Sequence, residues 1–338
     1  MSAATAGGFV RSAFRGYARS LMQQQIAVLY EHPEWFKPLF AELERRDVPY
    51  VALHAVDHVY DPDEREVPYS LVVNRMSPSA WMRGNRDAIF HSLRYLEHLE
   101  DIGASVLNGA EAFRFELSKA AQYSLMARLG VRHPATRVLS RPEQALGAAA
   151  DLQFPVLLKP NIGGSGAGIR SFTSMDELAD AVREGGIDFG IDHVGLLQEH
   201  LPAQDDAIVR IEIVGGEFLY AIRLLLTPGT FNLCPADYCE LPGMADGVSG
   251  RGLPVEAYQP SSEIVDTAHS LVAASGMDVG GVEYLINARD GQPYFYDVNA
   301  LSNFVADAPT VIGFNPYVNL VDLIVERAAV TARSVSAA

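Results

Sequence analysis

The chain first settles into a regular hydrophobic pattern at Ile26–Tyr30, a short apolar run that predicts a strand. Pro33 then opens a stretch with apolar residues at helical spacing, which predicts an amphipathic helix to about Arg46. Tyr50–Ala55 and Tyr69–Val73 read as strands, Arg86–Ile102 as a helix and Ser105–Leu107 as a brief strand. Strands alternating with helices predict a parallel sheet covered on both faces, ending near Gly109.

Beyond it, Ala110–Leu129 reads as one helix stopped by Gly130. Ala135–Leu139 is a predicted strand, Pro142–Ala150 a helix, Val156–Lys159 and Ile169–Phe172 strands, and Met175–Glu184 a helix. Gly195–His200, Ala207–Val214 and Phe218–Leu226 follow as strands, with Gly215-Gly216 as a hairpin turn. Residues 227–260 are rich in Pro and Gly and lack a clear period, so they are expected to be a functional loop that orders as a lid. Ser261–Ser275 predicts a helix, Gly281–Asn287 and Pro293–Val298 strands, and Asn315–Arg333 a final helix. The expected division is an extension at 1–24, an α/β domain at 25–109, and two α+β subdomains at 110–194 and 195–338.

Composition narrows the picture. The 338 residues are 49% hydrophobic and 20% charged, enough for sizeable cores. A net charge of −16 argues against nucleic acid or an anionic membrane as the main partner. No apolar run approaches a membrane span. A nucleotide remains compatible if Mg²⁺ and a few lysines offset the field. Cys234 and Cys239 form no CxxC pair and have no histidine cluster beside them, so a reducing, cytoplasmic compartment is the simplest reading. Arg11, Arg15 and Arg19 share one helical face, with no acid before Glu31. That pattern suits either an organelle presequence or a loose extension.

The stretch Lys159-Pro160-Asn161-Ile162-Gly163-Gly164-Ser165-Gly166-Ala167-Gly168-Ile169 carries candidate chemistry. A Walker A loop would need Lys-Ser/Thr after Gly168, where Ile169-Arg170 stand. A Rossmann turn would need G-x-G-x-x-G opening a helix, whereas this loop joins two strands. A glycine-rich flap between strands can turn backbone N–H groups onto phosphates, because no Cβ intervenes. Protein kinases use such a flap, but their lysine comes later, while Lys159 precedes this one. A plain hairpin tip is the other reading.

A second constellation lies at Gly280–Phe304. Asp297 and Asn299 stand two apart in a predicted strand, so they face the same way. A two-residue Asp290-Gly291 turn would pair Glu283 with Val298 and send it to the opposite face. A three-residue turn, Arg289-Asp290-Gly291, would pair it with Asp297 and form one oxygen-rich cluster suited to Mg²⁺. A solvated strand end is the alternative.

Taken in order, these residues resemble the ATP-grasp superfamily, and within it the RimK-type and glutathione-synthetase-like carboxylate–amine ligases, over roughly residues 70–330. The resemblance is carried by Leu117-Ser118-Lys119 with Pro134-Ala135-Thr136, the run Phe154–Pro160 with its glycine loop, Leu197–Leu201, Arg210 to Gly215 with Arg223, and Gly281-Val282-Glu283 with Asp297-Val298-Asn299. It implies an α/β fold of the α+β ATP-grasp kind, in which a parallel domain precedes two subdomains clasping ATP. Lys119, Lys159, Gly163, Gly164, Ser165, Gly166, Gly168 and Asp206 would then meet ATP, with Gln198, Glu199, His200 and Leu201 as the adenine hinge. Arg210, Arg223 and Asn232 would surround the reacting group, and Glu283, Asp297 and Asn299 would hold Mg²⁺, with Mn²⁺ as a substitute. Small-molecule carboxylate and amine substrates would be the partners, with an amino acid or small peptide among them, and a homodimer is allowed. A small-molecule kinase on the same fold, or an ATP-binding module without turnover, is the alternative.

The sequence departs from the family in three places. Glu283 and Asp297 exchange the usual Asp and Glu. Ala300-Leu301-Ser302-Asn303 replaces Ser-Pro-Gly. Ile208 stands where an Asp usually precedes Arg210, with Asp205 and Asp206 nearby.

Overall fold

The computed structural model describes residues 25–164, 166–226 and 254–337. Four parallel strands, β1 (Ile26–Tyr30), β2 (Tyr50–His54), β3 (Leu71–Arg75) and β4 (Val106–Leu107), form a first sheet in the order β2-β1-β3-β4. Its side chains alternate between two cores, as the period of two requires. Ile26, Val28, Leu71 and Val73 meet Leu39 and Leu43 of helix α1 (Lys37–Arg45). Ala27, Leu29 and Val72 meet Ile89, Leu93 and Leu96 of helix α2 (Arg86–Asp101). Helix α1 starts at Lys37 rather than Pro33; it is Pro38 that occupies the first turn, where its missing N–H is harmless.

The helix expected over 110–129 is two helices, α3 (Ala110–Glu116) and α4 (Lys119–Arg128). The break falls at Ser118, whose extended backbone and side-chain oxygen, accepting from the Ala121 N–H at 3.2 Å, cap α4. Four antiparallel strands follow: β5 (Thr136–Leu139), β6 (Val156–Pro160), β7 (Arg170–Phe172) and β8 (Gly195–Glu199), in the order β5-β8-β6-β7. With helix α5 (Met175–Arg183) they close a core of their own around Leu139, Val156, Phe172, Leu178 and Leu197. Strand β8, which lies past the expected border at residue 194, is thus part of this second sheet.

The third sheet is antiparallel, in the order β11-β10-β9-β12-β13. Its strands are β9 (Ala207–Val214), β10 (Glu217–Leu225), β11 (Val255–Tyr258), β12 (Val279–Ile286) and β13 (Pro293–Asn299). Gly215 and Gly216, at φ 63° and 80°, make the predicted two-residue hairpin turn. β11 shortens the loop expected over 227–260, because Val255–Tyr258 pairs along β10. Residues 227–253, with Asn232 and both cysteines, lie outside the described residues, as do 1–24 and Ser165.

Helix α6 (Ser262–Ala274) covers one face of this sheet and α7 (Pro316–Ala337) the other. Leu320, Val321 and Ile324 of α7 lie in one continuous core with Ile26 and Leu71 of the first sheet and Ile208 and Ile222 of the third. Asn108, in the left-handed region at φ 55°, stitches the same two sheets. Its Nδ2 donates to the carbonyls of Val279 (2.7 Å) and Ala300 (2.6 Å), and its Oδ1 accepts from the N–H of Asp278 (2.8 Å) and Val279 (3.0 Å). No helix among the described residues is long and apolar enough to cross a membrane.

Candidate active site

Where the three sheets face one another they enclose a cavity of about 690 Å³. Its floor comes from the third sheet. On β9, Val209, Ile211 and Ile213 point into the core beneath α6, which leaves Ile208, Arg210 and Glu212 on the opposite face. Arg210 donates to Glu212 at 2.6 Å and to Glu283, directly across on β12, at 2.8 Å. Burial works against the Arg210 charge, but the two carboxylates outweigh it and its pKa is raised. Gly281 makes room for this guanidinium: a Cβ there would fall 2.4 Å from Arg210 Nη2.

The register of β12 and β13 pairs Glu283 with Asp297 and Gly281 with Asn299. Neither anticipated turn length produces it. Asn287 N–H donates to Gln292 O, so the turn is longer, and a bulge at Tyr296 then shifts the ladder by one residue. Phe295 and Val298 can therefore both face the core, while Tyr296, Asp297 and Asn299 line the cavity.

Helix α4 sets the other wall. Gln122 reads both backbone groups of Val298, donating to its carbonyl at 2.8 Å and accepting from its N–H at 3.1 Å. One turn earlier, Lys119 Nζ is thereby held 2.5 Å from Asp297. Burial pushes the Asp297 carboxyl up, but Lys119 and then Lys159 pull it down further, and the net direction is down. Glu283 moves the other way: burial prevails over Arg210. Asn161, at the start of the glycine loop, anchors α4 to the second sheet by accepting from the Ala120 N–H at 2.9 Å.

Lys159 reaches the cavity from β6. Its ammonium donates to Tyr123 Oη (2.8 Å) and Gln198 Oε1 (2.9 Å), two neutral partners. Burial, with the charge of Lys119 adding to it, lowers its pKa to about 7. Gly163, Gly164 and Gly166 line the roof; Gly168, at φ 74°, packs on Pro160 beside them. Gln198, Glu199, His200, Leu201 and Asp206 line the edge between the second and third sheets. The N–H groups of Glu199 and His200 donate to the carbonyls of Ala135 and Pro155, whereas that of Leu201 has no acceptor among the described residues.

Most of the sequence-derived candidates thus converge on one cavity. Arg223 does not. On β10 it pairs with Asp205 (3.2 Å) and Glu256 (3.6 Å), away from the cavity lining. Arg75 forms no ion pair among the described residues; it is buried over the Phe36 ring and donates to the Ser302 carbonyl. Wall residues that no sequence motif marked include Trp35, Ser77, Ser79, Glu116 and Asn303.

Comparison with known proteins agrees with this geometry. The profile described as "Carbamoyl-phosphate synthase L chain, ATP binding domain" matches residues 118–194, from the cap of α4 through the glycine loop. A D-alanine–D-alanine ligase from Geotalea uraniireducens is 27% identical over 219 residues, 65% of this chain and 66% of that protein. The chain belongs to the ATP-grasp superfamily. Solved ATP-grasp structures share its whole layout. The ATP-grasp ligase PsnB, complexed with minimal precursor, Mg and ADP, superimposes with a TM-score of 0.64 at 17% identity, over 91% of this chain and 98% of that one. The D-alanine–D-alanine ligase of Bacillus anthracis, complexed with ATP, gives 0.62 at 15% identity, over 92% and 98%. At such identities the ATP-grasp fold is what is shared.

Proposed function

We propose that this ATP-grasp chain is an ATP-dependent carboxylate–amine ligase that forms an amide, of the peptide type, through an acyl phosphate. The observation that carries the reading is the placement of Glu283, Asp297 and Asn299 on one face of the cavity floor, opposite Lys119, Lys159 and the glycine loop. Two carboxylates and an amide are a partial, hard-oxygen donor set. It fits Mg²⁺, or Mn²⁺ in its place, either of which completes its shell with phosphate oxygens and water. When bound, the cation offsets charge that builds up on the transferring phosphoryl group.

The chain's own residues supply positioning. Leu201 offers its backbone N–H to adenine at the hinge. The ammonium of Lys159 turns from Tyr123 and Gln198 toward phosphate oxygens, and the glycine flap brings backbone N–H groups over them. Arg210, held by two carboxylates, faces the carboxylate that attacks the γ-phosphorus in line. That attack releases ADP and leaves an acyl phosphate, which then meets the amine and yields amide and phosphate. The three sheets support a division into an N-terminal α/β unit and two ATP-clasping units, with β8 closing the second. The names of the relatives, D-alanine–D-alanine ligases and a ligase complexed with a precursor peptide, support an amino acid or small peptide as substrate.

An ADP-release screen over paired amino acids, with mass detection of products, tests this reading. Amide plus free phosphate is the expected result. A phosphoester product would make the chain a kinase, and nucleotide affinity without ADP a binding module.

A further inference from the structure

Glu116, the last residue of α3, lines the cavity and is only 7% exposed, yet it has none of the roles above. Its Oε2 accepts the backbone N–H of Ala300 and, at 3.3 Å, that of Leu301, so it is seated on the segment that replaces the family's Ser-Pro-Gly. Its Oε1 has no hydrogen-bond partner among the described residues. Asn303, on the same segment and the same wall, buries its Oδ1 without a donor among the described residues. Among the described residues two acceptor oxygens therefore lack donors on a wall whose guanidinium, Arg210, already pairs with Glu212 and Glu283, while Arg75, whose Nε and Nη1 also lack partners among those residues, does not line the cavity. An ammonium group offers donors only, which is the complement of this pair.

We propose that Glu116 and Asn303 receive the amine substrate, and that Glu116 is a catalytic residue taking the proton that the ammonium must lose before attack. This rests on the ligase reading and deepens it. A proton passes from the ammonium nitrogen to Glu116 Oε1. The freed lone pair forms the C–N bond at the acyl carbon, and the second nitrogen proton leaves with the departing phosphate as the C–O bond breaks. Glu116 then returns its proton to solvent. Burial disfavours the charged form of this carboxyl, which suits it to take up a proton. Asp297 on β13 pushes in the same direction, while the Ala300 and Leu301 amides and Lys119 on α4 oppose it. The charge of Glu116 also acts on Arg75 on β3.

E116Q separates catalysis from structure, because its amide oxygen still accepts from Ala300 and Leu301 but takes no proton. Wild type and variant are compared with ATP, Mg²⁺, and the common L-amino acids and D-alanine as acids. The nucleophile is either the same amino acids or hydroxylamine, which is largely uncharged at neutral pH. The variant is expected to lose amide formation by roughly 10²-fold or more while keeping hydroxamate formation within a few fold. Near-wild-type amide formation in E116Q, or equal loss of both products, overturns the assignment. If the wild type makes no hydroxamate from any acid, the ligase reading itself fails and takes this inference with it.

Discussion

Lys159 shows how much one side chain's surroundings decide. Its ammonium is buried among neutral partners, and its pKa sits near 7 instead of 10.5. Between those values the unfolded chain binds the extra proton and the folded chain does not. The destabilisation is therefore full below about 7 and fades as pH rises toward 10.5, and Lys159→Met should flatten this dependence in denaturant titrations at several pH values. Triphosphate should restore the charge, so ATP binding near pH 8.5 should take up a proton, read from calorimetry in buffers of different ionisation enthalpy. Lys159→Ala should abolish that uptake and weaken ATP about tenfold or more; unchanged affinity in a folded variant removes Lys159 from the site. Asp297→Asn should leave ATP binding nearly intact and slow turnover on the order of 10²-fold, and full ADP release at modest Mg²⁺ would discard the metal assignment. Both residues were legible in the sequence because they interrupt apolar strands with groups that strands rarely carry. Glu116 was not, since an acid at the end of an amphipathic helix looks like an ordinary solvated position. Arg223 misled for the opposite reason: its partner Glu256 comes from β11, which no periodicity announced.

At the scale of elements, the alternation of β12 and β13 exposed an acidic face, but the turn that aligns it was hidden. The clue lay in spacing: Phe295 and Val298 are core residues three apart, which a regular strand cannot face the same way. The break between α3 and α4 was hidden likewise, because apolar residues continue through it while Ser118 alone signals a cap. Pairing of β8 into the second sheet is non-local and leaves no trace in the local pattern. Gln122 caps β13 along its edge, so Gln122→Ala should leave two buried backbone groups of Val298 unpaired and cost about 2 kcal/mol or more, measured by urea unfolding. Turnover should fall with it, because Lys119 and Asp297 lose their common support.

For the whole molecule, the distribution of cores matters more than the count of strands. The first and third sheets share one core and are stitched by Asn108, while the second sheet closes a core of its own. Asn108→Ala should cost about 3 kcal/mol or more, since three buried backbone groups and one partly buried one lose their bonds; an unchanged midpoint in guanidinium would show that the shared apolar core suffices alone. Hydrogen exchange should slow in β6 to β8 when a nonhydrolysable ATP analogue and Mg²⁺ are added, and change little in β1 to β3. The parallel first sheet was readable from the alternation of strands and helices, whereas the fusion of two cores brings residues some 300 positions apart, such as Ile26 and Ile324, into one cluster. That fusion also bears on selectivity. The end of the cavity bounded by Trp35, Ser77 and Asn303 lies between two sheets that cannot part without breaking a common interior. Such a wall sorts candidates by size, as a die does, and a substrate one methylene too large should be turned away by about 1–3 kcal/mol in kcat/KM instead of being accommodated.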